Sequence, residues 1–393
     1  MDRKQLLTDL NSLVVFRHVG ETPVIQALKN FLMTKEKAYK QVEAYSAFIS
    51  ALYEESFNFS DYVLQVLCED ENQYVQLVAN GKEIPEVMQE AVDHELEVLQ
   101  ELISLKAKSL IKLVEYDGYL PKFETSKFDL REKYQEYLND IHKRGYGIYA
   151  RNIMFRLTEA GITPVASPDD TTVDMLYGYE QQRQKVIDNT WALLKGKPAA
   201  NTLLYGDAGT GKSSSVKAVT NLLAGEGLRL IEMRKDQLFQ IPYVMEQLHK
   251  NPLKFIIFID DLSFAEDDDN FSMLKAILEG SASAKAPNTV IYATSNRRHL
   301  VKETFSGRDG DDIHRNDTME ELLSLSNRFG LTILYTRPDQ YLFLNIVHEL
   351  AKSAGIEMDE HELDTQAAAF AIRNGGRSPR VAKHFVNSLA AKQ

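Results

Sequence analysis

The spacing of apolar and polar positions changes character near residue 165. Before it the rhythm is helical. Over residues 86–114 the apolar positions Met88, Ala91, Val98, Leu99, Leu102 and Ile103 recur at helical spacing with Glu, Lys and Gln between them. Pro85 just ahead suits a helix start. Residues 24–52 and 131–142 read the same way. A mainly helical region is therefore expected over 1–165. Its apolar stripe reads as a buried core face; a face that docks an unknown protein partner is the competing reading. Gly161-Ile162-Thr163-Pro164 and Ser167-Pro168-Asp169-Asp170 crowd turn and breaker residues together, marking a linker or domain edge.

Beyond that edge, short apolar runs alternate with helical segments. The runs are 202–205, 228–233, 255–259, 289–293 and 331–335. This alternation predicts parallel strands joined by helices, an α/β domain over 166–338. From Asp339 three helical segments remain, broken near Gly355 and at Asn374-Gly375-Gly376. They predict a small helical domain over 339–393.

Composition narrows the setting. The 393 residues are 44% hydrophobic and 26% charged, the balance of a water-soluble protein. The longest apolar run, 255–259, is far short of the roughly 20 residues of a membrane span, so no membrane role is expected. Met1-Asp2-Arg3-Lys4 is charged and is not followed by the apolar segment of a signal peptide. A single cysteine, Cys68, forms neither an intrachain disulfide nor a zinc cluster and reads as a buried, inert thiol. A cytoplasmic protein is expected. The net charge of −12 is uneven: residues 1–170 hold 19 Lys and Arg against 28 Asp and Glu. Such a surface repels nucleic-acid phosphates. From Thr365 onward there is no acid, while Arg373, Arg377, Arg380, Lys383 and Lys392 add five positive charges.

Chemistry enters at Gly206-Asp207-Ala208-Gly209-Thr210-Gly211-Lys212-Ser213, which matches the phosphate-loop pattern G-x-x-x-x-G-K-[ST]. Glycines let the backbone turn tightly and bring its N–H groups against phosphate oxygens. Lys212 is assigned to the β- and γ-phosphates and the Ser213 hydroxyl to Mg²⁺. The helix that opens there, through Ser214, points its positive end at the same phosphates. A short apolar run before the motif and a helical pattern after it supply the strand–loop–helix setting that the motif demands. The expected cofactors are ATP and Mg²⁺.

Phe255-Ile256-Ile257-Phe258-Ile259-Asp260-Asp261 is a buried-strand signature ending in two carboxylates. Ligands of a parallel sheet bind at the carboxyl ends of its strands, which would bring these acids beside the loop. Asp260 is the candidate Mg²⁺ holder and Asp261 the candidate base that polarises the attacking water. Glu266-Asp267-Asp268-Asp269 reads instead as a solvated loop. Three further candidates follow in order: Asn296, to orient the water; Arg328, to reach a neighbouring subunit's γ-phosphate; and Arg380, to fold onto the bound phosphates.

That order resembles the AAA+ ATPases: Walker A at 206–213, Walker B at 255–261, first sensor Asn296, arginine finger Arg328 and second sensor Arg380 in a helical lid. The strings Ile259-Asp260-Asp261-Leu262-Ser263-Phe264, Tyr292-Ala293-Thr294-Ser295-Asn296-Arg297-Arg298-His299-Leu300 and Ser324-Leu325-Ser326-Asn327-Arg328-Phe329-Gly330-Leu331 are similar to a bacterial AAA+ family of undefined task, domain of unknown function 815. The resemblance covers about residues 165–393. Many AAA+ members carry Asp-Glu where this chain has Asp260-Asp261, which puts fast turnover in doubt; an Asp-Asp pair is also similar to that of bacterial replication initiators and helicase loaders. No glycine lies between Gly227 and Gly280, so the aromatic–apolar–glycine pore loop of peptide-threading relatives is not expected.

These readings converge on an ATPase that hydrolyses ATP to ADP and phosphate at an intersubunit site and changes conformation with nucleotide state. A head-to-tail contact of that kind makes a homo-oligomeric ring or arc. The alternatives are a nucleotide-controlled protein-binding scaffold with slow or no hydrolysis, and a helicase-loader-like ATPase whose basic tail and Arg297-Arg298 face DNA. The DNA reading is not favoured, since the same residues serve bound ATP or a solvated lid.

Overall fold

The computed structural model describes residues 3–35, 37–263, 269–279, 287–296 and 328–391. The chain forms two compact units, residues 1–151 and 152–393.

The first unit is built from helices α1 (Arg3–Asn11), α2 (Arg17–Glu21), α3 (Pro23–Met33), α4 (Ala38–Glu55), α5 (Phe59–Glu69) and α6 (Gln73–Ala79). It continues with α7 (Glu86–Ile103), α8 (Ala107–Ile111), α9 (Leu130–Asn139), α10 (Ile141–Arg144) and α11 (Ile148–Arg151). Asn58, Asn72 and Asp129 cap α5, α6 and α9 by accepting N–H bonds of the first turn. The stripe expected over 86–114 ends sooner than its rhythm suggests, because the chain breaks at Ser104–Lys106 before α8 resumes. Val92, Leu96, Val98, Leu99, Leu102 and Ile103 of α7 are buried in one core with Phe16, Phe31, Tyr45, Phe48 and Phe59. Edge-to-face contacts tie Phe48 to Phe59 and Phe123. Cys68 is buried there, and burial pushes its thiol up to about 12, which disfavours the thiolate at neutral pH.

One buried carboxylate organises the start of this unit. Glu95, 3% exposed, accepts bonds from Val14 N at 2.8 Å, Val15 N at 3.0 Å and Phe16 N at 2.9 Å. Three converging N–H groups at the entrance to α2 suit an anion and no neutral group as well. Glu95→Gln, which can turn its NH₂ toward a donor, should destabilise the unit by about 2 kcal/mol, and Glu95→Ala by more, in urea titrations followed by helical circular dichroism. Equal midpoints for wild type and both variants would remove the argument.

The second unit is a seven-stranded sheet flanked by helices. Its strands are β1 (Met154–Thr158), β2 (Gly161–Pro164), β3 (Thr202–Gly206), β4 (Leu228–Met233), β5 (Lys254–Ile259), β6 (Thr289–Ser295) and β7 (Leu331–Tyr335). They lie in the order β2-β1-β4-β5-β6-β3-β7. All pairs are parallel except the β1–β2 hairpin. Residues 154–164, grouped with the helical region in sequence, thus form the edge of the sheet. Phe255 to Ile259 are each 0% exposed, as the continuous apolar run requires of a strand covered on both faces. Helices α12 (Glu180–Leu194), α13 (Lys212–Leu223), α14 (Ile241–Leu248) and α15 (Asp269–Glu279) accompany the sheet.

Three lid helices follow: α16 (Gln340–Ser353), α17 (Glu360–Arg373) and α18 (Pro379–Ala390). Asp339, Asp359 and Ser378 each accept a first-turn N–H bond, and Pro379 occupies the first helical position of α18, where its missing N–H costs nothing. Phe343, Ile346, Val347, Leu363, Phe385 and Val386 form the lid's own core. None of the described helices is long and apolar enough to cross a membrane.

Candidate nucleotide site

The sheet delivers its functional residues to one end. Register pairs Tyr205 with Ser295, Phe258 with Tyr292 and Tyr205 with Leu334, so the chain leaves β3, β5, β6 and β7 side by side. β3, between β6 and β7, runs into the glycine loop at this edge. Gly206 has φ +128°, and a Cβ there would collide with the backbone carbonyl of Tyr335 on β7, so no other residue fits. Gly211 takes φ +90° as it hands the chain to α13, leaving the first N–H groups of that helix to face the loop.

The side chains form one connected network. Lys212, 5% exposed, donates from Nζ to Gly206 O at 3.2 Å, Asp207 O at 2.7 Å and Asn296 Oδ1 at 2.9 Å. Burial lowers its ammonium pKa; Asp207, Asp261 and Asp260 pull it back up, and Arg380 pushes it down. Asn296, just after β6, donates from Nδ2 to Asp261 Oδ1 at 2.7 Å. Ser213 Oγ donates to Asp260 Oδ1 at 2.6 Å. Thr210 Oγ1 donates to Asp207 O at 2.8 Å and closes the loop on itself. Asp261 sits in the left-handed region at φ +52°, a conformation that Asp tolerates better than most side chains.

The lid reaches the same loop. Arg380 N donates to Gly209 O at 3.2 Å, and a Cβ on Gly209 would meet Ser378 and Arg380. Arg380 is thereby placed at the phosphate loop. Arg328 is not joined to this network within the subunit: it pairs with Glu279 at the end of α15, and its buried Nε has no partner among the described residues. Glu266, Asp267, Asp268, Arg297, Arg298 and Lys392, with the side chain of Asp269, lie outside the described residues.

Two contributors carry no sequence signal. Thr294, on β6, donates to Asp260 Oδ1 at 2.5 Å and accepts from Asp261 N at 2.9 Å. Arg337 N donates to Asp207 Oδ2 at 2.8 Å, and its guanidinium lies against Gly376 of the lid. Both act through neighbours distant in sequence.

The donor set fits a magnesium–triphosphate. Ser213, Asp260 and Asp261 offer hard oxygens, and Mg²⁺ is held by one or two carboxylates together with substrate phosphates. Among the described residues no group of three His, Cys, Asp or Glu could hold a metal ion.

A family model described as "Protein of unknown function (DUF815)" matches residues 150–393. The chain belongs to this family. The match spans the whole second unit, with its phosphate loop, strand-end carboxylates and lid, and the largely parallel sheet followed by lid helices is the α/β arrangement expected from the sequence. No curated protein matches. Among solved structures, the chain is similar to the RuvB Holliday junction branch migration motor of Thermotoga maritima, at 14% identity and a TM-score of 0.37. That alignment covers 55% of this chain and 63% of RuvB. One single-residue variant of that protein aligns at 15% identity, with the same TM-score and coverage. The chain thus spans less than two thirds of these structures.

Proposed function

We propose that this protein binds ATP with Mg²⁺ and hydrolyses it to ADP and phosphate, using the nucleotide state to drive a conformational change between lid and sheet. What supports the reading is the continuous bond path Lys212–Asn296–Asp261, lying beside Ser213–Asp260 and beneath Arg380. In this reading hydrogen bonds join the phosphate-binding cation, the water-orienting amide and the candidate base.

Each residue has a task in that reading. Backbone N–H groups from Gly206 to Gly211, with those of Lys212, Ser213 and Ser214, cradle the phosphates. Lys212 leaves its carbonyl partners for phosphate oxygens. Ser213 and Asp260 hold the cation, which when bound draws charge off the β- and γ-phosphates. Asp261 takes the proton of the attacking water, and Asn296 fixes where that water sits. Arg380 brings the lid onto the nucleotide, which accounts for its charge without nucleic acid. Arg328 serves the site of an adjacent copy in a head-to-tail ring or arc. The helical unit is assigned to an unidentified protein partner, and the cytoplasm is the compartment proposed.

Asp261→Asn tests the catalytic part. It keeps the size and the bond to Asn296 but loses the base, so phosphate release should fall by about 100-fold or more while nucleotide affinity stays near wild type. If release is equally slow in both proteins and ATP still changes the conformation, the chain is a nucleotide-controlled scaffold and not an ATPase.

A further inference from the structure

Asp260 uses its two carboxylate oxygens unequally. Oδ1 accepts three bonds, from Ser213 Oγ at 2.6 Å, Thr294 Oγ1 at 2.5 Å and Asp261 N at 3.2 Å. Oδ2 receives none from the described residues. Three donors on one oxygen fix the rotation of the carboxylate and leave the other oxygen free for a cation or its water. Of these donors only Thr294 comes from the neighbouring strand, 2% exposed and anchored in the centre of the sheet. Ser213 is the proposed cation ligand and must turn away when the cation arrives; Thr294 has no such duty.

The same hydroxyl acts on the second carboxylate. It accepts from Asp261 N at 2.9 Å, the amide of the residue whose backbone takes φ +52°. Leu262 N then donates to Thr294 O at 2.7 Å. Two bonds to one threonine therefore bracket the left-handed residue, holding a conformation that costs about 1–3 kcal/mol when unsupported. The turn aims the Asp261 side chain at Asn296. One hydroxyl, donating to the first acid and accepting from the backbone of the second, couples their geometry.

The geometry points to Thr294 as the positioning residue that sets both carboxylates: it turns Asp260 so that one oxygen faces the cation, and it locks the backbone that aims Asp261. This rests on the magnesium–ATP reading of the site. Thr294 itself touches neither nucleotide nor water.

The test compares Thr294→Val, a near-isostere without the hydroxyl, with Thr294→Ser, which keeps it. Phosphate release is measured against Mg²⁺ concentration at fixed ATP, with binding of a fluorescent ATP analogue in EDTA alongside. Losses of about 10–100-fold are usual when a group supporting a metal ligand is removed. Thr294→Val should raise the Mg²⁺ concentration for half-maximal release at least about 10-fold, lower maximal release, and leave EDTA-state binding unchanged; Thr294→Ser should restore both to within about threefold. If Thr294→Val does not fold, Thr294→Ala takes its place with the same expected shift. Wild-type Mg²⁺ dependence in the hydroxyl-less variant overturns the assignment of Thr294 and spares the site. A wild-type protein with no Mg²⁺-dependent nucleotide binding overturns both.

Discussion

Lys212→Ala should leave a folded protein that no longer retains magnesium–ATP. The Lys212 ammonium is in direct hydrogen-bond contact with the loop carbonyls and with Asn296, and it is almost wholly buried. Its bonds to Gly206 O and Asp207 O hold it at the floor of the loop, ready to transfer to phosphate oxygens. Burial lowers its pKa, a desolvation cost on the charged form that the nearby acids offset only in part. Alanine removes that charge while Asp207, Asp260 and Asp261 remain, and the site becomes more negative toward a polyanion. Nucleotide affinity should fall about 100-fold and turnover of whatever binds at least about 1000-fold, together about 7 kcal/mol of lost transition-state stabilisation. Stability should fall by about 1–3 kcal/mol, because the buried carbonyl of Gly206 and its neighbours Asp207 O and Asn296 Oδ1 lose their donor. Fluorescent-nucleotide titration, phosphate release and thermal melting measure the three quantities. Undiminished Mg²⁺-dependent binding in the variant would sink the nucleotide reading altogether.

How much of this was legible beforehand follows from where the information resides. β5 announced itself because both of its faces are covered, so every position from Phe255 to Ile259 is apolar. The phosphate loop was equally plain, since its glycines answer to local backbone geometry and to contacts with the next strand, both of which forbid side chains. The hairpin β1–β2 was not. β2 is only half-buried along its length and Arg156 of β1 faces solvent, so the Gly161-Ile162-Thr163-Pro164 stretch carried turn residues and no apolar run. The break after α7 escaped for the opposite reason: Leu105, Ala107 and Leu110 are buried like the residues of α7, and the apolar rhythm continues across a kink in the backbone.

The site divides along the same line. Asp260, Asp261 and Asn296 could be placed because each ends a recognisable strand and inherits its position from the parallel order. Thr294 could not, because its importance lies in register: β6 neighbours β5, with Ala293 paired to Ile259, which brings the next residue beside the two acids. Nothing in a lone threonine on a buried strand distinguishes a positioning hydroxyl from one that bonds its own backbone. Arg337 was hidden in the same way, its partner Asp207 lying 130 positions earlier.

Arg328 supplies the second large effect. Among the described residues of its own subunit it meets Glu279 and no phosphate-site residue, so its predicted role calls for a second copy. Arg328→Ala should reduce turnover by about 10³-fold or more, the range known for arginine fingers, while leaving nucleotide affinity of the single subunit intact. The decisive measurement is a mixture. Arg328→Ala subunits keep a complete loop, and Lys212→Ala subunits keep a complete finger. If the finger acts in trans, an equimolar mixture of two inactive proteins regains activity at interfaces where the first supplies the loop and the second the arginine. Random assembly makes roughly a quarter of the interfaces of that kind, so phosphate release should recover toward roughly a quarter of the wild-type rate. A finger acting within its own subunit predicts no recovery, since every subunit in the mixture carries one lesion. Loss of activity in Arg328→Ala together with a silent mixture would move the arginine's task inside the chain. Full activity in the single variant would leave the pair with Glu279 as a surface ion pair worth at most about 1 kcal/mol.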